Sequence, residues 1–125
     1  MSEETVARIV LFVVMGGTGV LLLWMARAAA TGRLRRNQWA GIRTPSTMTS
    51  DEAWLAAHQR AERPTQLAAA VSILVALSVA IPSSDTILFG SVMVGAAVIL
   101  GLVVHGAIVG GRAARQAEGR SGEGR

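Results

Sequence analysis

The chain has 125 residues, of which 51% are hydrophobic and only 16% are charged. This composition is too apolar for an ordinary soluble domain, and the length allows a single compact unit. Cysteine is absent, which excludes disulfides, thiolate metal ligands and a cysteine nucleophile. All the basic residues are Arg, and the formal net charge is +4.

The first predicted element is an uncharged apolar run, Ile9–Ala26. A second run covers residues 67–81, and a third covers residues 86–111 with His105 as its only ionisable side chain. A helix needs roughly 20 apolar residues to cross a bilayer, and none of the runs has the polar stripe of a helix on a soluble protein. The first and third runs meet this length, and the second is marginal unless Thr65 and Gln66 extend it. Membrane spans are predicted at about residues 7–27, 65–81 and 86–111.

Cleavage of the first run as a signal peptide is an alternative, because Ala28–Ala30 imitates a small-residue cleavage site. However, Glu3 and Glu4 precede the run, where a signal peptide carries positive charge. The run is also longer than the apolar core of a signal peptide, which has about 7–15 residues. An uncleaved membrane anchor is therefore favoured.

The distribution of Arg predicts the orientation. Residues 27–64 hold seven Arg and residues 112–125 hold four, whereas the turn at 82–85 holds none and the N-terminal segment holds one. The positive-inside rule then places the long loop and the C-terminus in the cytoplasm and the N-terminus outside. The predicted location is the cytoplasmic membrane, crossed three times.

The loop between the first two spans, residues 28–64, is predicted to contain a short helix at about residues 51–63. Thr49 and Glu52 have the spacing of a capping box, and Ser50 is the rival N-cap. The apolar face of this helix consists of Trp54, Ala57, His58 and Ala61. A helix with such a face is expected to lie on the membrane or to dock against the spans.

The predicted fold class follows from these elements. It is an all-α membrane protein with three transmembrane helices and a short interfacial helix in the cytoplasmic loop. Residues 1–111 form the three-span module. Residues 112–125 are rich in Gly, Glu and Arg, and they are expected to form a disordered cytoplasmic tail.

The loop also carries the string Asn37-Gln38-Trp39-Ala40-Gly41-Ile42-Arg43-Thr44-Pro45, followed by Thr47, Ser50, Trp54 and His58. This pattern resembles the signature of the SdpI family of bacterial membrane proteins. The resemblance implies a protein that protects its own cell from a secreted toxin, and that relays a signal by holding a transcriptional repressor at the membrane. One departure is Ala61-Glu62, where a Gly is common in the family. Another is that the founding member has additional spans ahead of this module.

The candidate residues for contact with a partner or with lipid are Asn37, Gly41, Arg43, Thr44, Pro45, Trp54 and His58. The guanidinium of Arg43 could bind a phosphate or a carboxylate through its fork. Alternatively, it ties the loop together by bonding backbone carbonyls. Trp54 is favoured as a packing anchor over a ligand platform. His58 is favoured as a hydrogen-bonded interface residue over a proton or metal site.

His105 is the polar residue within a predicted span, and such residues are functional candidates by default. A hydrogen bond to a neighbouring helix is the favoured interpretation. His105 shares one helix face with Ala97 and Gly101, which are spaced four residues apart. Small residues at this spacing allow close packing, either within the chain or between copies in a homo-oligomer.

Several kinds of function are not supported by the sequence. It holds no carboxylate pair, no nucleophile–base set and no metal-ligand cluster, so no enzyme activity, cofactor or metal site is predicted. Topology and lipid contact explain the loop Arg residues, so no nucleic-acid partner is predicted either. The expected partners are the lipid bilayer, a toxin or repressor protein, and further copies of the chain.

Three functional hypotheses follow. The first is an SdpI-like module that confers toxin immunity or relays a signal through its cytoplasmic loop. The second is a small transporter or accessory membrane subunit that uses His105 within an oligomer. The third is a structural membrane protein that interacts only with lipid.

Overall fold

The computed structural model describes residues 1–124, and it contains three α-helices. They are α1 (Glu3–Ala30), α2 (Asp51–Ala80) and α3 (Asp85–Glu123). Each helix follows a Ser whose hydroxyl oxygen accepts a hydrogen bond from a backbone N–H in the first turn, and each has an acidic residue in that turn. Both features stabilise a helix start, because the first N–H groups lack partners and carry partial positive charge.

All three helices are long enough and apolar enough to cross a membrane, which confirms the predicted fold class of three spanning helices. Many large apolar side chains are exposed on their outer faces, among them Phe12, Leu21, Leu74, Phe89 and Leu100. A soluble protein rarely exposes apolar patches of this extent. Hydrocarbon chains of the bilayer are the medium that such faces require.

α2 lies between the other two helices and packs against both, and within residues 1–124 α1 and α3 share no packed interface. Small residues permit the close approach, as is common between helices in membranes. A Cβ on Gly19 of α1 would lie 2.9 Å from the carbonyl oxygen of Ala69, and one on Gly95 of α3 would collide with Val75. The fully buried Ser72 donates a hydrogen bond of 2.6 Å to the carbonyl oxygen of Met15.

The predicted short interfacial helix at residues 51–63 is wrong as a separate element, because α2 runs from Asp51 through Pro64 to Ala80. Proline removes one helical hydrogen bond, which favours a break. Packing against α3 offsets this cost here, because Pro64 lies directly against Gly106. The next residue, Thr65, donates its hydroxyl to the carbonyl oxygen of Ala61 at 2.8 Å.

The capping group also differs from the capping-box expectation. Ser50 is the N-cap, and its oxygen accepts from the N–H of Ala53 at 3.0 Å. The Thr49 hydroxyl instead donates to the carbonyl oxygen of Ser46. The predicted apolar face is confirmed, since Trp54, Ala57, His58 and Ala61 are all buried.

The segment expected to be a disordered tail is helical in the structure, because α3 continues to Glu123. Tertiary contact with the first half of α2 explains the difference. Ala114 is fully buried in a cluster with Ala53 and Ala57. Further along, Ser50 donates a hydrogen bond to the carboxylate of Glu118. We refer to residues 31–64 and 106–123, which pack together, as the head.

Candidate functional site

The loop that joins α1 to α2 begins with a turn built on Asn37. Its side-chain oxygen accepts hydrogen bonds of 2.8 Å from the backbone N–H groups of Trp39 and Ala40, and its amide nitrogen donates to the carbonyl oxygen of Arg35. Asn favours such turns because its short side chain can replace a backbone partner. The turn leaves Trp39 89% exposed, so this ring is free to meet lipid or another protein.

The next part of the loop is held against α2 by Trp54 and His58. Gly41 has a φ of +99°, and a Cβ there would lie 2.7 Å from both the Nε2 atom of His58 and the ring of Trp54. Only glycine meets both requirements, the left-handed backbone and the close approach. The N–H of Ile42 then donates to Nε2 of His58 at 2.8 Å.

Trp54 and His58 themselves form a single packed unit. Their rings are 4.2 Å apart between centroids, and Trp54 is only 2% exposed. The Trp54 indole N–H donates to the carbonyl oxygen of Leu34 at 3.0 Å, which fixes the start of the loop. Both ends of the Asn37 turn are therefore anchored on the same pair of side chains.

The hydrogen bonds of His58 require a neutral ring. Nε2 accepts from the N–H of Ile42, so the proton resides on Nδ1, which lies 2.7 Å from the carbonyl oxygen of Trp54. Burial lowers the pKa of His58 below its ordinary value of 6.5, and the bond to the Trp54 carbonyl opposes that shift. His58 lies in the part of α2 that precedes the predicted span at 65–81.

Thr47 closes the loop. It is fully buried. Its hydroxyl donates to the carbonyl oxygen of Ile42 at 2.7 Å and accepts from the N–H of Thr44 at 2.9 Å. The segment around Pro45 is thereby held in one conformation. The signal for Thr47 was its place two residues after the Thr-Pro pair, a position typical of side chain-to-backbone turns.

Arg43 is exposed. One of its terminal nitrogens donates to the carbonyl oxygen of Gln38 in the same loop. The tie to a backbone carbonyl is thus present, as the structural interpretation of Arg43 expected. Its guanidinium has further N–H donors on the exposed side, and these are suited to an anionic group.

A cavity of about 100 Å³ lies beneath the loop and is lined by residues from all three helices. Its lining residues are Leu22, Met25, Ala26, Gly41, Ile42, His58, Ala61, Glu62, Thr65 and Val103. Most of these side chains are apolar, and Glu62 provides the negative charge at the edge. The loop motif therefore forms the roof of a cavity whose other walls come from all three helices.

The predicted site residues divide into two groups. Those in the loop and in α2 come together in the head, whereas His105 is an exposed residue of α3. Pro45 is exposed, and Thr44 is half-buried beside Thr47. Within residues 1–124 no three His, Asp or Glu side chains are grouped as metal ligands would be.

Arg8 has a structural role that its position in the sequence did not reveal. Its guanidinium donates to the carbonyl oxygens of Val79, Ile81 and Ser83 at 3.1, 3.3 and 2.6 Å, and it pairs with Glu4 at 3.2 Å. These bonds satisfy carbonyls at the end of α2, where a helix carries partial negative charge. Arg8 therefore links α1 to the α2–α3 turn at the end opposite the head.

Three apolar spans, lipid-facing outer surfaces and a head built from the connecting loop define an integral membrane protein. The model of the SdpI/YfhL protein family matches residues 33–110, from the loop through most of α3. The chain therefore belongs to the SdpI/YfhL family. No match was found among curated proteins or among solved structures.

Proposed function

We propose that the protein confers immunity to a secreted toxin, or relays a signal, through contacts made by the loop of its head. The observation that supports this function most directly is the fixed loop. Trp54 and His58 hold the family motif in one conformation, with Trp39 and Arg43 presented outward. A surface that is ordered before binding loses less conformational entropy when a partner docks.

The proposal places the head in the cytoplasm and the N-terminus outside. The excess of Arg in the head supports this orientation. The Arg at the opposite end, Arg8, is compensated by Glu4 and by carbonyl oxygens, so it adds little free positive charge there.

Single cysteines in this cysteine-free chain test the orientation. Ser2, Ser84 and Gly122 are exposed, and a Cβ on Gly122 would meet no other atom within 4 Å. An impermeant thiol reagent applied to intact cells is expected to label cysteine at Ser2 and Ser84 and to leave cysteine at Gly122 unlabelled until the cells are opened. Labelling of Gly122→Cys alone in intact cells would reverse the orientation.

Arg43 tests the function of the loop. Arg43→Lys keeps the charge and loses the forked guanidinium, so we expect it to reduce protection of a toxin-sensitive bacterium that expresses this protein. The challenge is the secreted sporulation-delay toxin against which the immunity protein that gives the family its name acts, and survival is compared at matched membrane levels. Arg35→Lys is the control, because Arg35 is also an exposed Arg of the loop.

The outcomes separate the two roles of Arg43. Reduced survival at normal membrane levels in Arg43→Lys, with normal survival in Arg35→Lys, supports recognition by the loop. Wild-type survival with both Arg43→Lys and Arg43→Ala would contradict it. Lower membrane levels of both variants would show that the bond to the Gln38 carbonyl is needed mainly for folding.

One observation favours a second candidate, a transporter or accessory subunit that works as an oligomer. Ala97, Gly101 and His105 are all exposed on α3, and a Cβ on Gly101 would meet no atom within 4 Å. Another helix could therefore approach this face closely. Cross-linking between copies through Ala97→Cys, together with loss of function in His105→Ala but not in Arg43→Lys, would favour this candidate over loop recognition.

A further inference from the structure

We infer that the head contains a binding site for the phosphate of a membrane phospholipid, formed where the Thr44–Ser46 segment meets α3. The residues that line this cleft are Thr44, Pro45, Ser46, Ala107, Ile108, Gly111 and Arg115. The site is separate from the cavity beneath the loop, and it uses neither Arg43 nor His58.

Two polar groups converge over Gly111. A Cβ on Gly111 would lie 3.6 Å from the hydroxyl oxygen of Ser46 and 3.9 Å from a terminal nitrogen of Arg115. The missing side chain therefore leaves an open space that both a hydroxyl and a guanidinium adjoin. The Thr44 hydroxyl lies 3.1 Å from that of Ser46 and extends the polar wall. An oxyanion is the ligand that this combination of donors binds best.

The charge of the site is not compensated within the chain. No ion pair among residues 1–124 involves Arg115, since the two pairs present are Arg8–Glu4 and Arg36–Asp51. Arg115 is exposed, and Gly111 is buried beneath it. A phosphate bound here would thus supply the negative charge that Arg115 lacks, at a position sheltered on one side by α3.

The depth of the site identifies a lipid as the source of the phosphate. A helix rises 1.5 Å per residue, and the hydrocarbon core is about 30 Å thick. About 20 residues of α3, counted from Thr86, therefore cross the core. Ala107 and Ile108 then lie just beyond the core, and Gly111 lies about one turn further. Side chains of a helix tilt towards its N-terminus, so the guanidinium of Arg115 points back to the headgroup layer.

The apolar part of the cleft extends along α3 towards the hydrocarbon core. Ile108 is 50% exposed, and it leads from the polar groups down to the lipid-facing surface of α3. A phospholipid can therefore place its phosphate between Ser46 and Arg115 and its glycerol and upper acyl chain along Ala107 and Ile108. A soluble phosphate would gain nothing from this apolar strip.

Two variants test the site in different ways, one by filling its space and the other by removing its charge. Gly111→Ala fills the space with a methyl group at ordinary contact distance from its neighbours, so the fold should be retained. Arg115→Gln removes the charge. Arg112→Gln and Gly101→Ala are the matched controls, because both are exposed positions of α3 outside the cleft.

The measurement is the amount of phosphatidylglycerol retained by the full-length protein after purification in mild detergent, determined by native mass spectrometry. We expect about a tenfold loss in Arg115→Gln, the effect of losing one charge-assisted hydrogen bond. We expect a similar loss in Gly111→Ala, because the added methyl group occupies the space proposed for the phosphate. The controls should retain lipid as the wild type does. Equal retention in all five proteins, or equal loss in the controls, would overturn the inference.

A second measurement distinguishes the two sources of phosphate. Delipidated wild-type protein is titrated with phosphatidylglycerol in the presence and absence of inorganic phosphate at the same concentration. If the site takes a lipid, inorganic phosphate should leave the lipid affinity unchanged. Displacement of the lipid by inorganic phosphate would show a site for soluble anions and would contradict the assignment to lipid. Ser46→Ala provides a further variant if Arg115→Gln does not fold.

Discussion

The spans and the head are held together by different kinds of contact. In the spans, helices approach through Gly and Ala, and large apolar side chains such as Leu74 remain exposed. In the head, a large aromatic residue is buried and the loop is fixed by directed hydrogen bonds. Lipid chains are as apolar as Leu, so burial from lipid adds little hydrophobic stabilisation, whereas burial from water adds much.

The difference implies that similar substitutions have unequal effects in the two regions. In the spans the shape of a side chain at a helix contact decides stability, and its apolar area matters less. In the head both the apolar area and each hydrogen bond contribute. Four comparisons test these expectations.

The largest difference in the free energy of unfolding is expected between substitutions of two Trp residues, one in the head and one in a span. Trp54 is 2% exposed in the head, and Trp24 is 53% exposed on α1. Trp54→Ala should lower the free energy of unfolding by about 3–5 kcal/mol, and Trp24→Ala by much less. Thermal unfolding in detergent measures both. Equal losses would show that the head gains no more from burial than the spans do.

Gly41→Ala should be the next most damaging change. A left-handed backbone costs an alanine about 1–2 kcal/mol, and here the Cβ would also collide with His58 and Trp54. Gly32 provides the control, since it has a φ of +82° and open space around it. Gly32→Ala should therefore show the backbone cost alone. If the two variants unfolded at the same temperature, the loop would not be held against α2 as described.

Arg8→Gln tests a polar contact at the opposite end of the spans. Losing its charged hydrogen bonds to carbonyl oxygens at the end of α2 should cost about 1.5–3 kcal/mol. Glu4→Gln is the control, because the Glu4 side chain is 61% exposed and such pairs contribute little. A smaller effect for Arg8→Gln than for Glu4→Gln would exclude the capping role.

The smallest effect concerns pH and His58. Its pKa is lowered in the folded protein, so the neutral form favours folding. This contribution of His58 to stability is present above pH 6.5, the ordinary pKa of His. It is lost as the pH falls below 6.5, because His58 binds a proton more readily in the unfolded chain than in the folded protein. Unfolding temperatures measured from pH 8 to pH 5 should fall for the wild type and fall less for His58→Gln. An identical decline in both proteins would exclude His58 as the cause.

Much of the site could be read from the sequence, although its geometry could not. The spacing of Trp54 and His58 placed both on the buried face of a helix, and the string from Asn37 to Pro45 identified the family. The pattern did not reveal that His58 accepts a hydrogen bond from the N–H of Ile42. That contact joins residues that are 16 positions apart along the chain, so local propensities carry no information about it.

The sequence by itself determined the three spans, because an uncharged apolar run long enough to cross a bilayer has few other stable environments. Only the tertiary structure decided where the helices begin and end. α2 continues through Pro64 and α3 continues to Glu123, against the local preferences of proline and of a Gly-rich tail. The physical reason is their mutual contact. Ala53 and Ala57 bury Ala114, and packing between two helices outweighs the weak propensity of either one alone.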